Sequence, residues 1–426
     1  MKTTLLTNFI LLNGHKDMTP ETGWNLLLEG RKIARLSKNK IKADRIIDLK
    51  GQYLLPGLID LHVHLPGSGP IKNNTDSRKL VKAIKKIFPL RQIGLAICRK
   101  SLREELFGGT TTVRCVGGIS NFDTELRNSI NKRWILGPRV LAANEAITAP
   151  GGHMEGTVSI GLSSKEEIIK HIDNLKKYSV DLVKLMITGG VLDAKKVGEP
   201  GDLKMSYEQI KAAVDYAHEN NLPVSAHVEG EEGLHLAIQA GVDYIEHGSS
   251  VNKDDLKLIK EKKLSLVATL SPALPLAKGP YELFNVKEVA KINSNALLER
   301  MITFAKQCME NDIPVGFGTD SGCPSVKHYN TYLEAYYASK YLGLSNKEAL
   351  YALTLNNAKV VKIDNITGSI DVGKSADMIV VKDNPLDNLL ALKEISHIFI
   401  RGKFIKKVKL KKNKEIEEFI EKYLLD

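Results

Sequence analysis

The sequence predicts an α/β protein, a (β/α)8 TIM barrel accompanied by a small β-sandwich domain built from both chain ends. Three observations carry this. Through the middle of the chain, eight short apolar or β-branched runs alternate with amphipathic stretches of helical period. At the two ends, short strand-like runs follow one another with turn pairs between them. Several of the central runs close on histidine or aspartate, and in a barrel of this kind the chemistry sits at the C-terminal ends of the strands.

The eight runs are Leu54–Leu65, Thr110–Val116, Arg139–Ile147, Asp181–Thr188, Leu222–Val228, Val242–His247, Leu264–Leu270 and Val315–Asp320. Helical patterns separate most of them, for example Lys165–Lys177, Ser206–Asn220, Gly230–Ala240 and Ala296–Asn311. Eight βα units in order close on themselves as a parallel barrel, and no short fixed repeat points to a solenoid. Residues 1–55 are read as the N-terminal part of the sandwich, with turns at Asn13-Gly14, Glu29-Gly30 and Lys50-Gly51. Residues 56–366 are the barrel. Residues 367–426 supply the C-terminal part, through Gly368-Ser369-Ile370, Ala376–Lys382 and His397–Lys406, plus a terminal helix. Neither end is long enough to bury a core alone, so they are expected to pair with each other.

Composition fits an enzyme-sized globular chain: 426 residues, 43% of them hydrophobic, suffice for one barrel and a satellite. The four cysteines are widely spaced with no Cys-x-x-Cys pair, which argues against a disulfide framework and suits a reducing, cytoplasmic compartment. Met1–Leu12 is interrupted by Thr3, Thr4, Thr7 and Asn8 and ends at a turn pair, so it reads as a strand rather than a signal peptide. No apolar run reaches the roughly 18 residues of a membrane span. The net charge is +11, with lysine densest over Lys403–Lys414. Glu415, Glu417, Glu418 and Glu421 follow directly and no nucleic-acid motif accompanies the patch, so it reads as a solvated strand and helix. The expected partner is a small-molecule substrate, not nucleic acid or membrane, and a homo-oligomer is the default for such a chain.

The first chemical signal is His62-Val63-His64, closing the first run. Side chains alternate across a strand, so histidines at i and i+2 face one side and can chelate one divalent metal. Alone, such a pair is a weak signal. His227 closes the fifth run, His247 the sixth and Asp320 the eighth. Each taken singly could be a hydrogen-bonded core residue, but one metal site explains all of them together. Lys184 lies inside the fourth run, on the same face as Leu182 and Met186. A buried lysine needs a resolution, either a lowered pKa that leaves a neutral amine or carbamylation to an anionic bridge between metals. The residues alone do not choose between these.

Taken together, these residues resemble the amidohydrolase superfamily, and more nearly its branch of prolidase-like and imidazolonepropionase-related enzymes. The likeness covers nearly the whole chain. It rests on the order His-x-His, lysine, histidine, histidine, aspartate on strands one, four, five, six and eight. Flanking phrases also match: Leu55-Pro56-Gly57-Leu58-Ile59-Asp60, Gly109-Thr110-Thr111-Thr112-Val113-Arg114, and Gly368-Ser369-Ile370 with Gly373-Lys374-Ser375-Ala376-Asp377. The resemblance implies a binuclear metal-dependent hydrolase that cleaves a C–N bond, amide or peptide, by attack of a metal-bridging hydroxide. A dipeptide (including Xaa-Pro types) or an N-acyl amino acid would be a typical substrate.

By the same resemblance His62, His64 and Asp320 hold one divalent ion and His227 and His247 the other. Lys184, as N6-carboxylysine, bridges them, and zinc is the usual occupant. Asp320 would carry the proton from water to leaving nitrogen, and His153, in Ala149–Gly156, would contact the oxyanion. Without the resemblance, His153 reads as a solvated loop histidine. Two departures stand out: Arg114 is followed by Cys115 where many relatives have aspartate, and Val228-Glu229-Gly230 lacks an aromatic that some dipeptidase members place there. Both weaken assignment to a particular dipeptidase. The alternatives are a one-metal cyclic-amide hydrolase of the imidazolonepropionase type and a non-catalytic scaffold protein on the same fold, which would be expected to have lost ligands. Residues 66–100 and 191–204 are expected to shape the pocket.

Overall fold

The computed structural model describes residues 2–72, 77–191, 194–198 and 200–425. Residues 73–76, 192–193 and 199, within the two segments expected to shape the pocket, lie outside the described residues. Two compact units emerge: residues 1–60, 103–113 and 329–411, and residues 61–102, 114–328 and 412–426.

The barrel strands follow in chain order. Strand one is Leu58–Val63, strand two Thr110–Cys115, and strand three Arg139–Ala142 continued by Ala146–Thr148. Strands four to eight are Val183–Met186, Val224–Val228, Tyr244–His247, Ser265–Ala268 and Val315–Phe317. Strands one, two and the first half of three form one sheet; the second half of three and strands four to eight form another, with Ser159–Gly161 at its edge. Every registered pair in the larger sheet is parallel. Helical crossovers make this possible, and their starts are written in the sequence. Ser164 with Glu167 and Ser206 with Gln209 form capping boxes that open the helices Lys165–Lys177 and Tyr207–Glu219. Ile168, Ile172 and Leu175, then Ile210, Val214 and Ala217, are the buried faces of those helices.

Strand eight closes against strand one. The Asp320 amide donates to the His62 carbonyl at 2.8 Å, and the His64 amide to the Ser321 carbonyl at 2.9 Å. Gly318 makes this approach possible, since a Cβ there would lie 2.5 Å from the His62 backbone nitrogen.

Two expectations about strand extent are corrected. The third run is not one strand. It breaks at Asn144, whose φ of 61° turns the chain left-handed and whose side chain accepts from the Thr124 amide at 3.1 Å. Asparagine tolerates that conformation and can satisfy a neighbouring backbone group, so an apolar run hides the break. The run Leu54–Leu65 likewise divides at Gly57, its first residues belonging to a strand Arg45–Pro56 of the other sheet.

That other sheet has seven strands in the order Lys403–Ile405, Ile395–Ile400, Met378–Val381, Arg45–Pro56, Thr3–Leu11, Asn25–Glu29, Lys32–Ser37. The two ends of the chain meet where Met378–Val381 runs antiparallel to Tyr53–Pro56, with Leu54 opposite Val380. The sheet also closes on itself: the Ile33 amide donates to the Lys374 carbonyl at 2.9 Å, and the Ala376 amide to Arg31 at 2.9 Å. Inside lie Leu6, Phe9, Leu26, Leu54, Met378, Val380 and Phe399, contributed from both ends of the chain. This is the separate sheet of chain ends expected from the sequence. The terminal helix Lys414–Tyr423, read in sequence with residues 367–426, falls in the second unit, where the Phe419 ring meets Phe284 edge-on at 5.5 Å. Among the described residues no helix is long and apolar enough to cross a membrane.

Because Phe399 is fully buried in the core shared by the two chain ends, Phe399→Ala should lower unfolding stability by about 3–5 kcal/mol. Urea denaturation of the purified variant measures this; an unchanged midpoint would contradict a core shared between distant segments.

Candidate functional site

The strand ends of the second unit bring the singled-out residues together. Ring centroids of His62 and His64 are 5.2 Å apart, His62 and His247 4.8 Å, and His227 and His247 4.7 Å. Asp320 Oδ1 lies 3.5 Å from His62 Nε2 and 3.3 Å from His64 Nε2. His153 joins them from its loop, its ring stacked on His227 at 4.2 Å and 9°. Gly190 makes room for that ring, because a Cβ there would fall 2.6 Å from it. Parallel register pairs Met186 with His227 and Lys184 with Ser225, so Lys184 lies two residues deeper along strand four than the level of His227. Among the described residues two donor groups could hold a metal: His62, His247 and Asp320, and His227, Glu229 and His247. Within each group the donor atoms lie within 4.8 Å of one another.

The protein backs these side chains from behind. His62 Nδ1 donates to Glu246 Oε2 at 2.7 Å and His64 Nδ1 to the Gly117 carbonyl at 2.9 Å. Both acceptors lack a hydrogen to give, so both rings carry the proton on Nδ1 and turn a bare Nε2 toward Asp320. His247 Nδ1 is 2.6 Å from the Thr269 hydroxyl. His247 and Asp320 also adopt left-handed φ angles of 65° and 56° at their strand ends. Non-glycine residues hold such angles only where surrounding structure enforces them, and functional sites are where this is common.

Sequence reading missed Glu246 and the role of Arg114. Glu246 is fully buried one residue before His247, and it accepts from His62, from the Arg114 guanidinium and from the Ser225 hydroxyl. Arg114 also donates from Nε to the Leu61 carbonyl at 2.7 Å and lies over the Tyr244 ring at 4.7 Å. The available signal was a charged residue inside each of two apolar strands, since buried charges come in pairs.

Burial pushes His62 and His227 well below the ordinary histidine range and His247 down to about 4. Burial also lowers Lys184 to about 8, with Arg114 adding to the effect and Glu246 and Asp320 opposing it. For Asp320 burial pushes upward, while positive charge on His62 or His64 would pull the carboxyl far below the usual range. Neutral imidazoles at His62, His227 and His247 are in the protonation state that metal ligands need. The Lys184 Nζ is buried with no hydrogen-bond partner among the described residues.

Two cavities meet here. A cleft of about 370 Å³ is lined by His62, His64, Arg78, Glu155 and Met186. A smaller one of about 60 Å³ is lined by Val191, Leu276, Leu297 and Met301. Both share His153, His227, His247 and Asp320.

The amidohydrolase family model matches residues 53–405, and the chain belongs to that family, hydrolases acting on carbon–nitrogen bonds. Among known proteins it is similar to the ochratoxinase of Aspergillus niger, 27% identical over 383 residues that span 83% of this chain and 75% of that one. A candidate prolidase of Bifidobacterium longum has a similar structure, with a TM-score of 0.86 and 29% identity over 99% of this chain and 98% of its own. A Xaa-Pro dipeptidase with methionine bound in its active site aligns at a TM-score of 0.82 and 26% identity, over 95% of this chain and 100% of its own.

The buried histidines give the metal-free protein a pH signature. Their folded pKa values lie below the unfolded value near 6.5, so the unfolded chain binds more protons in the window beneath it. Stability contributed by keeping them neutral is therefore present above pH ~6.5 and lost as pH falls toward ~4. Urea unfolding of chelator-treated protein should show a falling midpoint from pH 7 to pH 5, less steeply in His247→Gln. A midpoint that rises over this interval would contradict the neutral assignment.

Proposed function

From family membership and this geometry, we propose that the chain is a two-metal amidohydrolase cleaving the amide or peptide bond of a small substrate, such as a dipeptide or an N-acyl amino acid. The observation that carries the reading is Lys184. A fully buried amine without a hydrogen-bond partner among the described residues, within electrostatic reach of Glu246, Asp320, His62, His227 and His247, holds its proton less tightly than an exposed lysine. Its lowered pKa leaves part of it as the neutral amine that can add carbon dioxide, releasing a proton and forming a carbamate. As N6-carboxylysine it would supply the anionic bridge that the surrounding donors lack. The residues present fit such an occupant: nitrogen and oxygen donors, neutral imidazoles, and Nδ1 partners that fix the rings.

His62, His64 and Asp320 would hold one ion, and His227 and His247 the other, with zinc favoured by this donor set. When bound, the ions would acidify water and polarise the scissile carbonyl. As a carboxylate beside His62 and His64, Asp320 would accept a proton from the attacking water and return it to the leaving nitrogen. His153, stacked on His227, would donate to the carbonyl oxygen as it gains charge. The two cavities suit a substrate whose scissile bond lies between a compact apolar group, against Leu276, Leu297 and Met301, and a larger polar part in the cleft bearing Arg78. Similarity to a Xaa-Pro dipeptidase and an ochratoxinase supports an amide-like bond.

Zinc-loaded protein screened against dipeptides, N-acyl amino acids and cyclic amides should hydrolyse members of the first two classes. Turnover confined to cyclic amides with one metal per chain would favour the imidazolonepropionase-type alternative instead. Asp320→Asn should keep much of its metal while losing about 10²–10⁴-fold in kcat. Lys184→Ala should bind metal poorly and recover part of its metal and activity with acetate or propionate, which replace a carboxylate. Recovery with small amines instead would assign Lys184 a base or nucleophile role.

A further inference from the structure

We propose that Glu229 is a third protein ligand of the cation held by His227 and His247, completing a two-imidazole, one-carboxylate site at the end of strand five. The inference rests on the reading that these histidines hold a cation. Glu229 follows the last residue of strand five, and it is 7% exposed. One of its carboxylate oxygens lies within 4.8 Å of the ligating nitrogens of both His227 and His247. It lines the small cavity with them.

Its position is held from two sides. The Glu229 amide donates to the Thr188 hydroxyl at 3.0 Å. Behind it Gly230 packs so tightly on Gly201 that a Cβ would lie 2.2 Å from the Gly201 carbonyl oxygen. The carboxylate is therefore anchored at its own backbone rather than carried on a loose loop.

The two rings are presented in the complementary sense. His227 Nε2 is 3.3 Å from the Gly189 carbonyl, which can only accept, so the proton sits on Nε2 and the Nδ1 lone pair is available. His247 engages Thr269 through Nδ1, which leaves its Nε2. Two neutral imidazoles beside a buried carboxylate form a set that binds divalent zinc, manganese or iron, and the carboxylate adds the negative charge that histidines cannot supply.

The test is metal binding by the full-length protein. Chelator-stripped wild type, Glu229→Gln, Glu229→Asp and His227→Ala would each be titrated with zinc against a competing chromophoric chelator, with circular dichroism confirming the fold. Wild type should bind two equivalents. Glu229→Gln should keep one and bind the other at least tenfold more weakly, as His227→Ala does. Unchanged affinity for both equivalents in Glu229→Gln, with His227→Ala impaired, would overturn the role of Glu229 alone. A raised KM for amine-bearing substrates in that variant would then mark Glu229 as a substrate contact. Unchanged binding in His227→Ala as well would overturn the two-cation reading itself. Should Glu229→Gln fail to fold, cobalt(II)-loaded Glu229→Asp provides the second readout: its visible bands should shift from wild type, and identical bands would overturn the proposal.

Discussion

The buried carboxylate of Glu246 is the interaction on which the site depends. It stands at the meeting point of His62 from strand one, Arg114 from strand two and Ser225 from strand five, on the strand that also carries His247. No one of these groups is tolerable alone in an apolar barrel interior, because an unpaired buried charge costs several kcal/mol. Together they satisfy one another. In doing so they orient the His62 ring, and Arg114 ties back to the Leu61 carbonyl beside it. Strand one is thereby pinned at the residue where strand eight closes the barrel through the Asp320 amide.

The remaining features follow from that frame. With His62 and His64 held through Nδ1, their Nε2 lone pairs and the Asp320 carboxylate converge on one point, as donors to a shared cation would. Burial keeps the histidines neutral, and it lowers the affinity of Lys184 for its proton. The left-handed backbone at His247 and Asp320 marks two strand ends where local conformational preference is overruled. Neutral imidazoles gathered around an acid, with an amine beneath that has no hydrogen-bond partner among the described residues, make a poor core, and stability lost there is a sign of a site kept for chemistry.

Much of this was legible in the sequence because strand periodicity is simple. A His-x-His pair must share a face, a polar residue closing an apolar run lies at a strand end, and a lysine within such a run must be buried. Those three statements locate His62, His64, Lys184, His227, His247 and Asp320 without coordinates. Glu246 was illegible for a physical reason: its meaning lies in partners 132 and 184 residues away, which only closure of the barrel brings near. The split of the third strand was hidden because apolar residues resume at Ala146-Ile147 after the break at Asn144. Glu229 was noticed as a departure from an aromatic, but its nearness to His227 and His247 depends on the turn clamped by Gly201 and Gly230.

The proposed function requires two cations within one cluster of strand ends. Anomalous diffraction from crystals of the zinc-loaded protein, recorded on either side of the zinc absorption edge, tests this most directly. Two peaks should appear, one among His62, His64 and Asp320 and one beside His227 and His247, with density extending beyond the Lys184 nitrogen to both. A single peak, or none, in crystals of protein that hydrolyses amides in solution would contradict it.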